Sequence, residues 1–553
     1  MFELICLGSD SRLSVEAGTS LMDVLSRVQL DNPYPILAAR VNNLYKSLNY
    51  CVFKPVTVEF LDVRSYEGYR VYQRTICFVL QMASKQLFPE RHLRVRNTLG
   101  SGFYCEFDDN SSLSAEQIAL LKARMAEIVA DDMPITGEKR LAEDVAALFD
   151  HFGFDDRVEL LDTRPHLYRT VNYMGGMPGY FYGVLAPSSA YVPHFDIVPY
   201  YNGLYISLPE RGNPEKISPN ISLDKMFDIF HEYQQWIDIM GVSTVGELNR
   251  RVLEGDASEL IKIAEAFHEN KIASIARKVA DANISRGVRM ALISGPSSSG
   301  KTTFSKRLGI QLRVLGFDPV LIALDDYFVD REHTPRDESG EYDYEALEAI
   351  DIAALNDHLR RLAAGESVEI PRYNFITGKR QWHEQPLKLT ERSILILEGI
   401  HALNPRLTPS VEESHKFKIY ISCFTSVAMD NFSRIPTTDN RLLRRTIRDN
   451  ATRGSNALAT LSRWPSVRRG EEKHIFPYQE NADVMFNSSL FYEISVLRAI
   501  AEPVLREVAD TVPEYAEAHR LLRFLDNFTP IPPDEIPPTS LLREFIGGSS
   551  FKY

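Results

Sequence analysis

Eight residues near the middle of the chain, Gly295-Pro-Ser-Ser-Ser-Gly300-Lys301-Thr302, carry the spacing G-x-x-x-x-G-K-T. The glycines let the backbone wind tightly and turn its N–H groups toward an anion. A helix following directly would add its positive N-terminus. Lys301 is then expected at the β- and γ-phosphates of a nucleotide and the Thr302 hydroxyl on Mg²⁺. Gly295, Ser297, Ser298, Ser299, Gly300, Lys301, Thr302 and Thr303 form the expected ATP-binding set. The apolar run Arg289-Met-Ala-Leu-Ile-Ser before the loop and the helical pattern after Lys301 supply the strand–loop–helix context that the motif needs.

Elements must hold further chemistry beside this loop. Short apolar runs at Val320–Leu324, Ser393–Leu397, Phe417–Ile421 and Asp483–Phe486 alternate with helical segments, which predicts a parallel sheet covered on both faces. Ligands in such sheets bind beyond the strand C-termini. Two of these ends carry acids, Asp325-Asp326-Tyr327-Phe328 and Glu398-Gly399-Ile400-His401. One acid there can hold Mg²⁺ or its water, and the other can take a proton from an acceptor hydroxyl. Downstream, Asp439-Asn-Arg441-Leu-Leu-Arg444-Arg445-Thr-Ile-Arg448-Asp449 places four arginines on one broad helical face. That arrangement suits a lid over a triphosphate, because guanidinium binds phosphate oxygens bidentately.

With these motifs in hand, residues 287 to 500 resemble the uridine kinase and phosphoribulokinase family. The arginine segment follows the family's D-x-R-L-x-R-R-x-x-R-D pattern and then R-G at Arg453-Gly454. The resemblance implies Asp325 as catalytic base, with Lys301, Arg444 and Arg448 as its catalytic partners. It implies Glu398 as the Mg²⁺-associated acid beside Thr302, and Arg453 with the loop residues at ATP. Asp343 in Tyr342-Asp-Tyr344 stands where the family holds sugar hydroxyls, and Arg441 is grouped with the substrate. Tyr373 and Phe375 match the aromatics that flank a nucleobase. One departure matters. Gly378 stands where the family's histidine reads a pyrimidine edge, and glycine cannot make that hydrogen bond. Arg380, Thr377 or Lys379 is left to read the base.

Residues 1–63 combine β-prone runs with the helical stretch from Thr19, which predicts a β-grasp unit resembling the TGS domain of threonyl-tRNA synthetases. Residues 64–220 resemble the second domain of the same enzymes, as an α+β unit, through Arg74–Pro89 and Asn97–Glu106. That family's H-x-x-x-H pair falls on Arg74 and Phe78, neither of which can serve as an imidazole ligand or base. This half is therefore expected to bind or support rather than to edit. The aromatic run over residues 165 to 210 is expected as β-rich core, and His151, His166 and His194 lack metal-ligand spacing. A helical connector is predicted over 221–286, the kinase over 287–510, and a helix with a Pro-rich strap over 511–553.

Bulk properties narrow the setting. A chain of 553 residues with 44% hydrophobic and 25% charged residues is an ordinary globular composition. Cys6, Cys51, Cys77, Cys105 and Cys423 are scattered, which argues against a disulfide framework or zinc site and predicts a reducing, cytoplasmic location. The N-terminus lacks a signal-peptide pattern, and no apolar run is long enough to span a membrane. The net charge of -13 argues against a general nucleic-acid-coating surface. The leading expectation is an ATP- and Mg²⁺-dependent kinase of nucleosides. The alternatives are a kinase of another sugar-like acceptor, as in phosphoribulokinase, and a nucleotide-dependent RNA-binding protein acting through residues 1–220. A homo-oligomer is compatible with the sequence.

Overall fold

The computed structural model describes residues 1–553 apart from 10, 110, 218–222, 338–339, 375–376, 383–385 and 553. Phe375 therefore lies outside the described residues. The chain opens with a five-stranded sheet in the order Ser11–Val15, Phe2–Cys6, Val56–Asp62, Ile36–Val41, Leu44–Lys46. Phe2–Cys6 and Val56–Asp62 run parallel. A short helix, Leu21–Leu25, starts where the Ser20 hydroxyl accepts the Asp23 N–H, and Leu4, Val24 and Val58 fill the core beneath it.

The helix Tyr66–Leu87, capped by Ser65, is two turns longer at its start than the amphipathic pattern from Arg74 suggested. It packs with a four-stranded antiparallel sheet ordered Asp196–Tyr200, Gly203–Ser207, Gly102–Phe107, Leu93–Leu99. Of the aromatic run, Tyr180, Phe181 and Tyr205 are buried in the core, Tyr173, Tyr182, Tyr191, Phe195 and Tyr200 pack against it half-buried, and Tyr168 and Tyr201 are exposed. The connector is helical over Asp224–Met240, Val245–Leu253 and Ala257–Arg286.

The C-terminal part is built on five parallel strands in the order Asp318–Ala323, Ser393–Glu398, Met290–Ser294, Lys416–Ser422, Val484–Asn487. The central strands are apolar and buried almost throughout, as a sheet covered on both faces requires. Phe304, Leu308 and Leu312 of the helix Lys301–Val314 pack with Ile272, Ile275 and Val279 of the long connector on one face. Phe227 and Phe230 of Asp224–Met240 join Leu292 and Leu397 on the other. Because Met290–Ser294 is the central strand, the loop that follows it emerges in the middle of the sheet's C-terminal edge.

The hydrophobic core does not respect a boundary at residue 287. Leu442, Leu443 and Ile447 of the arginine-bearing helix Thr437–Thr452 belong to the same buried cluster as Val71, Phe78 and Phe103. Helices Glu493–Arg506 and Tyr515–Leu525 extend that cluster, and a strap with one short turn of helix, Arg543–Ile546, closes the chain. Among the described residues no helix is long and apolar enough to cross a membrane.

Candidate active site

The loop between Ser294 and Lys301 is held by close approaches that only certain residues allow. A Cβ on Gly295 would collide with the Ile421 carbonyl of the neighbouring strand. Ser298 takes a left-handed φ of 60°, which a β-carbon opposes and the surrounding contacts enforce. The Ser297 N–H donates to Glu471 at 3.2 Å, and the Thr303 N–H and hydroxyl donate to Glu544 of the C-terminal strap at 3.2 and 2.6 Å. Two carboxylates of the chain itself therefore meet donors of the loop and of the helix start, where anions are favoured. Leu541 closes over Gly300, so the strap is part of the loop's surroundings.

Lys301 Nζ donates to the carbonyls of Gly295 and Pro296 at 2.9 and 3.0 Å. Burial pushes its ammonium below the ordinary value, and the nearby Glu398 and Asp325 pull it back. The Thr302 hydroxyl donates to Glu398 at 2.9 Å. Burial raises the Glu398 carboxyl to about 7 against the pull of Lys301, with Asp325 adding to the rise. A largely buried carboxylate beside a hydroxyl is a donor set that fits Mg²⁺.

Asp325 lies in the turn Leu324–Tyr327 directly after its strand and makes no side-chain hydrogen bond among the described residues. Its neighbour Asp326 accepts the Tyr373 N–H at 3.2 Å and so positions the hairpin Pro371–Asn374 and Lys379–Trp382. The two adjacent acids are thus divided, one toward Lys301 and Glu398, the other toward the scaffold. Tyr373 is buried with its ring 5.6 Å from that of Phe328. Asp343 accepts the Glu345 N–H at 3.0 Å. Arg380 donates to the Phe328 carbonyl at 2.8 Å and to Asp351 at 2.9 Å, so its guanidinium serves the scaffold here. Gly378 has φ of 70°, and an added Cβ would lie 2.8 Å from Arg331 Cβ and Nε. Arg331 thus covers the position where a histidine was missing, which the sequence reading did not foresee.

The arginines part company along their helix. Arg441 is buried, pairs with Glu471 and donates to the Ser297 carbonyl at 2.9 Å. Arg444 is buried, donates from Nε to Glu493 at 3.1 Å and reaches the Ser488 carbonyl at 2.9 Å. Arg445 donates to the Ser297 hydroxyl at 2.9 Å, while Arg448 and Arg453 gather on Asp449 at 2.8 and 3.7 Å. The expected lid is a fixed element of the core in this structure. Leu442, Leu443 and Ile447 anchor it, and the carboxylates that hold Arg441 and Arg444 come from segments too distant in sequence to be foreseen. Glu345 was also missed. It is an acid raised by burial and opposed by Arg445 and Lys301, and nothing in its local sequence marks it.

On the N-terminal helix, Arg74 donates to the Val184 carbonyl at 2.9 Å and pairs with Glu67 at 2.5 Å. Phe78 packs its ring 5.3 Å from that of Phe181. Both are structural positions.

Known proteins resemble the C-terminal part of this chain. Residues 291–494 match the model of the Phosphoribulokinase / Uridine kinase family. A uridine kinase of Staphylococcus aureus strain JH9 is 29% identical over 194 residues, which are 35% of this chain and 84% of that protein. The solved structure of a possible uridine kinase from Bacillus stearothermophilus aligns over 39% of this chain and 98% of its own, at 22% identity and a TM-score of 0.27. For its C-terminal part, the chain thus has a P-loop kinase fold, and the matches support a kinase of the phosphoribulokinase and uridine kinase family.

Proposed function

We propose that this protein transfers the γ-phosphoryl group of ATP to the 5′-hydroxyl of a nucleoside. One observation carries the reading: Lys301, the Thr302–Glu398 pair and Asp325 converge at the C-terminal edge of the parallel sheet, coupled electrostatically to one another. Phosphoryl transfer needs little covalent work from a protein and much positioning. The loop amides and Lys301 would bind the β- and γ-phosphates, for which Lys301 exchanges its carbonyl contacts for phosphate oxygens. Asp325 would accept the proton of the attacking hydroxyl. Thr302 and Glu398 would hold Mg²⁺, which when bound neutralises charge on the phosphates. Arg445, Arg448 and Arg453 share Asp449 of their own helix instead of pairing with a carboxylate of another helix, and they are the ones assigned to the transferring group. Arg441 and Arg444 would shape the loop from behind.

On the acceptor side, Tyr373 would offer the edge of its largely buried ring to a flat base, and Asp343 would hold sugar hydroxyls. The absence of a side chain at Gly378 favours a base selectivity unlike that of uridine kinases. A second reading is a sugar-like acceptor bearing negative charge, favoured by Arg331 lying across Gly378. Rates of ADP release with a panel of nucleosides and sugar phosphates test both. Dominant activity on a sugar phosphate would favour the second reading.

A further inference from the structure

The helix Tyr66–Leu87, the segment Phe432–Asp439 and the helix Tyr515–Leu525 line a cavity of about 50 Å³ that opens to solvent, with no residue of the phosphate-binding loop on its wall. Arg70, Gln73, Arg74, Arg434 and Arg520 line it as donors, against aromatic walls that include Phe103 and Tyr182. Its charges do not balance. Arg70 is bound by Glu67, Asp439 and Glu517, Arg74 by Glu67, and Arg520 by Asp439 and Glu517. Three arginines are thus met by three carboxylates. Arg434 is the fourth cation, and among the described residues its guanidinium has neither an ion pair nor a hydrogen bond. Its one close partner is the face of Phe103, 4.9 Å from the ring centre.

Arg434 is half-buried and keeps some contact with solvent on the cavity wall, so an incoming anion would meet there a cation that no carboxylate of the described residues pairs. Asp439, the only acid on the cavity wall among the described residues, is already shared by two arginines. We infer that this cavity is a binding site for a phosphate group, seated on Arg434 with further donors available from Gln73 and the flanking arginines. The volume has room for a few water molecules, which suits one small tetrahedral oxyanion. Several donors lining one cavity suit a group with several acceptor oxygens better than a planar monoanion. The phosphate can be free or the end of a monoester whose remainder leaves through the mouth. The inference does not depend on the proposed kinase reaction.

The test uses the full chain carrying Lys301→Ala, so that the loop contributes little to phosphate binding. Calorimetric titration with inorganic phosphate and, separately, glycerol 3-phosphate at constant ionic strength should each be compared with the same chain bearing Arg434→Met. Binding that weakens at least tenfold with Arg434→Met, and is partly restored by Arg434→Lys, is the expected result. A response to both probes identifies an open mouth, and a response to inorganic phosphate alone an enclosed site; either supports the inference. No phosphate binding in the Lys301→Ala chain, or binding unchanged by Arg434→Met, would overturn it. Should Arg434→Met fail to fold, arsenate soaked into crystals of the unaltered protein gives a second reading. An anomalous peak beside Arg434 is expected, and its absence there contradicts the site.

Discussion

The donor side and the acceptor side of the cleft are built by different means. The donor side is one continuous loop, Gly295 to Thr303, that follows a buried strand and is braced from outside by Glu471, Arg441 and Glu544. The acceptor side is assembled from pieces far apart in sequence: the turn at Asp325, the Asp343 segment, and a hairpin from Pro371 to Trp382. A local motif survives as a recognisable string, while an assembled pocket can change one wall without altering the rest. Gly378 and Arg331 are such a change.

The largest expected effect is on the donor side. Lys301→Ala should lower kcat by on the order of 10³-fold, the scale of losing a preorganised charge at the reacting group, with the melting temperature nearly unchanged. Near wild-type kcat in this variant would remove the loop from the reaction.

The next contrast lies within the arginine helix. Arg444→Met should cost about 3–5 kcal/mol of stability, because it strands the buried Glu493 carboxylate. Arg448→Met should leave stability almost intact and lower kcat instead. Denaturant unfolding set beside steady-state kinetics separates the two, and equal destabilisation by both would erase the division drawn along that helix.

On the acceptor side, Asp325→Asn should lower kcat by about 10²-fold, the usual scale for losing a general base. Asp326→Asn should act mainly on the KM of the acceptor, since that carboxylate holds the Tyr373 backbone. Reversed effects would exchange the roles of the two acids.

A smaller effect concerns pH. The Glu398 carboxyl is raised to about 7 in the fold, so it is partly protonated near neutrality. The stability contributed by its protonated form is complete below the ordinary glutamate value and is lost as pH rises through about 7. Cation binding requires the ionised form. Mg²⁺ affinity should therefore rise by up to about tenfold per pH unit below 7 and level off above it. Glu398→Gln should abolish that slope, and a slope that persists would place the titrating group elsewhere.

How far the sequence could be read follows the same division. The parallel strands and the loop were legible because buried strands are continuous apolar runs and the loop is a local string. Asp325 and Glu398 were legible as acids placed at strand ends. The partners Glu471, Glu493 and Glu544 were not, because each reaches the loop or its arginines from 30 or more residues away and carries no local mark. The arginines therefore read as a mobile lid when the fold buries two of them. The shared core was hidden for a related reason: Leu442 and Ile447 look like any helix face until Val71 and Phe103 are placed against them.

The most direct test is kcat/KM for uridine, cytidine, adenosine, guanosine, inosine and ribulose 5-phosphate, measured with ATP and Mg²⁺ under one condition. A nucleoside should dominate, without the strict uridine and cytidine preference that a histidine at position 378 would enforce, and the activity should vanish with Lys301→Ala. Dominant turnover of ribulose 5-phosphate, or no turnover of any nucleoside, would contradict the account.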